Sequence, residues 1–168
     1  RQISDFGMHS NPSSPAGLDR HSDTRFCVER IGSDRRLLAA ERIVGGIGAG
    51  GRAAAARRFV EAADSLGMDL SRMWATVAPG SGRVREVVLA VVGSGRTAML
   101  FVSGAEELAT PEDDPTLRRG ERAALLHVAC EHLREIERPG GGQGVVLAQA
   151  LLEPEEAEAM EALVDAGF

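Results

Sequence analysis

The sequence predicts an α/β (α+β) domain behind a flexible N-terminal arm, on three observations. Short apolar runs separated by Gly and Pro occupy residues 73–102, and a long stretch with helical periodicity covers 117–137. A last apolar run then leads into a short helix ending at Gly167-Phe168.

The arm is expected over residues 1–34 and the folded domain over 35–168. Residues 1–24 are rich in Ser, Pro, Gly, His and Asp, so burial there cannot offset the entropy of ordering. Leu37, Leu38, Ile43 and Val44 sit near helical spacing, and the Gly-rich stretch 45–51 ends that helix. A second helix is expected over 52–66, with Phe59, Val60, Ala63 and Leu66 as its stripe and Gly67 as its stop. Three strands follow. The run 73–77 is broken by Pro79-Gly80-Ser81-Gly82, and 83–92 begins with alternation and becomes continuously apolar, as a strand covered on both faces would. A Gly-containing turn at 93–96 leads into 97–102, so the last two runs read as an antiparallel hairpin.

Helix-start chemistry appears at Thr110-Pro111-Glu112-Asp113 and again at Asp114-Pro115. The long helix over 117–137 has Leu126, Ala129, Leu133 and Ile136 on its apolar stripe, with His127, Glu131, Arg134 and Arg138 outside it. Pro139 and three glycines end it. Residues 145–152 read as a buried strand, and Pro154 opens a helix through Ala166 with Gly167 in the C′ position. The predicted order is α-α-β-β-β-α-β-α. Phe168 falls where another strand is expected, which makes the domain incomplete at its C-terminus and leaves an open edge on the Val145 strand.

Charge and composition exclude several classes. All 19 basic residues are arginine, and tyrosine is absent, which removes one kind of general acid. Residues 1–58 carry ten arginines against six acids, and residues 59–168 carry nine against nineteen. The acidic folded part repels a phosphate backbone, so no nucleic-acid partner is expected. No apolar run approaches the roughly 20 residues of a membrane helix, so no membrane role is expected either. Cys27 and Cys130 match no disulfide framework, which fits a reducing, cytoplasmic location. The N-terminus has no apolar signal core and does not begin with Met, as a fragment would not.

Four motifs bear on chemistry. Residues 46–51 match GxGxxG, but the preceding run is helical and charged where a dinucleotide site needs a buried strand, so the stretch reads as a connector. His127, Cys130 and Glu131 share a helix at metal-like spacing, yet His127 and His132 point apart, and no metal site is expected. The acids Glu153, Glu155, Glu156, Glu158, Glu161 and Asp165 read as a solvated helix face. Arg118-Arg119-Gly120-Glu121-Arg122-Ala123 lies at the start of the long helix, where helix dipole and guanidinium groups suit a diphosphate. The competing reading is an ordinary first turn with salt bridges.

From Arg83 to Phe168, the hairpin, basic helix start, long helix, strand and Gly-Phe-terminated helix resemble the GNAT superfamily of acyl-CoA-dependent N-acyltransferases, in a divergent bacterial form. The segment VLAQALLEPEEAEAMEALVDAGF carries most of the likeness, with Ala159, Gly167 and Phe168 in place. The resemblance implies a mixed, mostly antiparallel sheet flanked by helices. It implies acetyl-CoA or another acyl-CoA as co-substrate, an unidentified amine as acceptor, and no metal. Leu100, Phe101 and Val102 on the strand 98–102 would present backbone groups to the pantetheine arm. Arg118, Arg119, Gly120, Glu121, Arg122 and Ala123 would hold the pyrophosphate, and the strand 145–152 would splay from its neighbour to admit the cofactor. Glu86, Glu106 and Glu107 are the candidate bases for attack of the amine on the thioester. Leu117 and Arg122 depart from the family's phosphate-loop pattern, and Glu156 and Leu163 stand where asparagine and tyrosine are common. These departures define the alternative, a non-catalytic GNAT-fold ligand-binding or interaction module. A third reading is a half-domain that dimerises through the open sheet edge.

Overall fold

The computed structural model describes residues 26–44, 49–93, 95–104, 115–136, 144–150 and 157–168. A short strand β1 (Cys27–Arg30) and a 3-10 turn (Ser33–Arg35) precede helices α1 (Arg36–Ile43) and α2 (Ala49–Ala62). Strands β2 (Met73–Val77), β3 (Val84–Val92) and β4 (Thr97–Val102) follow, then helix α3 (Pro115–Glu135), strand β5 (Leu147–Ala150) and helix α4 (Ala157–Asp165). The eight expected elements occur in the expected order, with β1 added in front.

The five strands form one sheet in the order β1-β2-β3-β4-β5. The first four are mutually antiparallel, and β5 runs parallel to β4. That parallel pair requires a crossover, which α3 supplies. Strand side chains alternate between two faces. Trp74, Val88, Ala90, Ala98 and Leu100 meet Leu125, Leu126, Ala129 and Leu133 of α3 and Leu163 of α4. On the other face Met73, Ala75, Val77, Val87 and Leu89 join Ala39 of α1 and Ala63 just past α2. The sheet thus lies between two helical layers, which explains why β2 is buried along its whole length.

Two expected boundaries are corrected. The arm does not extend to residue 34, because β1 pairs with β2 from Cys27↔Val77 to Arg30↔Trp74. Residues 1–25 lie outside the described residues. The second helix starts three residues before Arg52 and ends at Ala62. Leu66, expected on its stripe, is exposed beyond that end. Gly67 does terminate the segment, with its N–H bonded to the Asp64 carbonyl and Met68 N–H to the Ala63 carbonyl. The same pair of bonds closes α4, where Gly167 at φ +92° takes the left-handed position that suits a residue without Cβ. The run before the GxGxxG match is helix α1, so the strand a dinucleotide turn needs is absent there.

Among the described residues, no helix is long and apolar enough to cross a membrane.

Candidate functional site

Helix α3 begins at Pro115, the second of the two start signals, so Arg118–Ala123 lie inside its first two turns rather than before them. The interior of a helix commits its backbone N–H groups to the preceding turn, so these residues act chiefly through their side chains. Those side chains diverge. Arg118, Glu121 and Arg122 face the sheet, Arg119 faces α4, Gly120 is exposed and Ala123 is half-buried.

The sheet-facing group forms a buried ionic network. Glu86 of β3 shares its face with Val88 and Ala90, and its residue is 7% exposed. Its Oε2 accepts from Arg122 Nη2 at 2.8 Å, from Arg122 Nε at 3.2 Å and from the Ser103 hydroxyl at 2.7 Å. Arg118 Nε lies 4.0 Å from the other carboxylate oxygen. Arg122, 1% exposed, also donates to the Ser103 carbonyl at 3.0 Å. The Ser103 hydroxyl in turn accepts from Val87 N–H at 3.0 Å.

A second branch runs alongside. Glu121, 2% exposed, accepts from Arg85 Nε at 2.9 Å and from the Thr76 hydroxyl at 3.5 Å. Thr76 also accepts from Glu86 N–H at 3.0 Å, which joins the branches. Burial pushes the Glu121 carboxyl above the ordinary glutamate value of 4.5, with Arg85 opposing the rise. Folding therefore favours its protonated form. The stability this confers is present below the unfolded carboxylate range and is lost as pH rises through the folded value. Glu121→Gln, which fixes the neutral form, is expected to raise the urea midpoint at pH 7, and the gain should shrink as pH falls toward 4.5. An equal or lower midpoint at pH 7 would show that the Arg85 pairing outweighs the burial cost.

Arg119 makes a separate, partly exposed clamp between helices. Its Nε and Nη2 grip the Asp165 carboxylate at 2.5 and 2.9 Å, and Nη1 reaches Glu161. The guanidinium holds the Asp165 carboxyl below its ordinary range. Two acids of the tail helix are thus contacts to α3 rather than a purely solvated face.

The structure separates the expected site residues. Glu86, a candidate base, is buried, and its Oε2 is occupied by three donors. Glu106 and Glu107 lie outside the described residues. Leu100 is a core residue with register partners on both sides, Ala90 and Ala150. Phe101 and Val102 continue β4 beyond its last described pairing with β5. That end of β4 leads directly into Ser103 and so into the α3 network. His127 sits 3.4 Å from Glu131 on the surface of α3, and burial pushes the half-buried Cys130 thiol up. Among the described residues no three His, Cys, Asp or Glu side chains gather as a metal site would need.

Thr76, Arg85 and Ser103 were not foreseen. Arg118 and Arg122 continue the helical face of Leu125, Ala129 and Leu133, and Glu86 continues the inward alternation of Val88 and Ala90. Charges extending two apolar faces toward each other are the signal of a buried ion pair.

Comparisons of this chain with family models, with curated proteins and with solved structures find no match.

Proposed function

We propose that the chain is an acyl-CoA-dependent N-acyltransferase of GNAT type, or a form derived from one, acting on an unidentified amine. The observation that carries this reading is the juxtaposition of two features. Strand β4 leads into Ser103, and the first turns of α3 are bonded to that residue. An extended backbone suits the amide-bearing pantetheine arm, and the positive end of a helix dipole beside arginines suits a diphosphate. Calorimetric titration tests it. Acetyl-CoA and CoA are expected to bind with a dissociation constant on the order of micromolar, more weakly as salt rises. Loss of heat with both ligands would overturn the reading. Arg119→Ala separates two roles for that residue. Weaker CoA binding would place its guanidinium on the ligand, and unchanged binding would leave it as the α3–α4 clamp.

A specific observation favours the non-catalytic interaction module as the second reading. Val146 and Leu147 at the edge strand, and Met160, Val164 and Phe168 around α4, are all exposed. Met160 and Val164 are four apart on α4, so they share one face of that helix. An apolar edge without lysine or proline in the strand pairs readily with another strand. On this reading the chain self-associates at high micromolar concentration in sedimentation equilibrium, and Leu147→Glu shifts it to monomer. A strictly monomeric parent chain would dismiss the edge-pairing form of it.

A further inference from the structure

The contacts between α3 and the sheet are of two kinds, and the difference is positional. Beyond Leu125 they are apolar: Leu125, Leu126, Ala129 and Leu133 pack against Trp74, Val88, Ala90, Ala98 and Leu100. Apolar burial is non-directional and tolerates small rotations and slides of a helix. In the first two turns the contacts are ionic, buried and directional, through Arg118, Glu121 and Arg122. A buried ion pair is weak evidence for stability, because desolvation cancels much of the attraction. What such a pair does fix is geometry. The guanidinium of Arg122 must meet Glu86 and the Ser103 carbonyl together, and Glu86 must meet Ser103 as well. Only one rotation and one height of α3 satisfy all of these.

We propose that Arg122, Glu86 and Ser103 are positioning residues that brace the first turns of α3 against the end of β4. The brace sets the spacing between the strand end and the helix start, and with it the fit of the diphosphate end of an acyl-CoA. This last step rests on the acyl-CoA reading above; the brace itself does not. It also gives Glu86 a task other than proton abstraction. A brace needs an acceptor oxygen at residue 86, whereas a base needs an ionisable one.

Three proteins test this: the parent chain, Glu86→Gln, and the double variant Glu86→Leu/Arg122→Met. The double variant removes both charges, and Glu86→Gln keeps an acceptor and guards against a double variant that does not fold. Amide hydrogen exchange is read first, without ligand. In the double variant the peptides covering 116–120 and 101–103 are expected to exchange about tenfold faster or more, while 125–133 is unchanged. Glu86→Gln should exchange nearly as the parent does. Uniform change across α3, or none in its first turns, would overturn the brace whatever the ligand does.

Binding is read second, with CoA and with acetyl-pantetheine, which lacks the diphosphate. CoA is expected to bind the double variant about tenfold more weakly, with acetyl-pantetheine unaltered. Equal binding of CoA to parent and double variant would overturn the role in ligand fit. Failure of the parent to bind CoA would instead overturn the acyl-CoA reading, with the exchange result still deciding the brace.

Discussion

Arg122→Ala is expected to lower the unfolding free energy by about 3–5 kcal/mol. The Arg122 side chain is the largest fully buried one among the described residues, and its loss leaves Glu86 with the Ser103 hydroxyl and a more distant Arg118. A carboxylate at 7% exposure cannot recover its hydration without opening the interface between α3 and β3. Glu86→Leu should cost a similar amount by stranding Arg122. Changing both residues removes the unpaired charge from either side. The loss in Glu86→Leu/Arg122→Met should therefore fall short of the sum of the Glu86→Leu and Arg122→Met losses by about 2 kcal/mol. Trp74 provides the readout, since it is the only tryptophan and lies buried on the α3 face of β2. Additive losses in urea titrations would mean that the two groups are not energetically coupled. The contrast with Arg119 is instructive. Its clamp to Glu161 and Asp165 is partly exposed, water solvates the partners when it breaks, and its removal should be far milder.

The elements most legible in the sequence are those whose residues leave one choice. Strands β2 and β4 occur with the bounds their apolar runs suggest, because Pro79-Gly80 closes the first run and glycines flank the second on both sides. The hairpin β3–β4 follows from the short turn between them. Strand β1 was illegible for a physical reason. Cys27-Val28-Glu29-Arg30 lies at the sheet's edge and owes its conformation to pairing with β2, so its own alternation carries no apolar signal. Helix α2 starts within a glycine run that propensity alone would exclude, and packing of Phe59 and Val60 against the core compensates. At the site, the sequence does not show which neighbours the charged side chains of α3 meet. For Arg118 and Arg122 the sequence leaves both a ligand and a salt-bridge partner open, because a basic helix start looks the same whether its charges point outward or inward. Only the register of Glu86 with Val88 and Ala90 decides which, and that register is visible once β3 is placed beneath α3.

Gly144→Ala is expected to destabilise the protein by about 3 kcal/mol or more, the largest effect for a single added methyl group. Gly144 does not adopt a left-handed conformation, so the requirement for glycine is one of space. A Cβ there would stand 2.1 Å from the Arg134 carbonyl oxygen and 2.6 Å from that of Leu133. These are backbone atoms of the last turn of α3, which cannot yield as the end of a flexible side chain would. Relief requires lifting residue 144 off the helix. That motion strains the Val145 N–H bond to the Leu133 carbonyl and the Arg96 Nε bond to the Gly144 carbonyl. Both bonds aim the chain into β5, so the strand would lose its approach to β4 and Ala148 and Ala150 their packing on the core. Gly167→Ala makes the informative control. Its φ of +92° is strained for any L residue, but an added Cβ meets nothing within 4 Å, so the cost should stay near 1 kcal/mol. If the two variants unfold at the same urea concentration, the close approach at residue 144 is not what holds β5 against the end of α3. If Gly144→Ala alone collapses, a single backbone contact governs how the crossover delivers β5 to β4, and hence the shape of the strand on which ligand binding is proposed to depend.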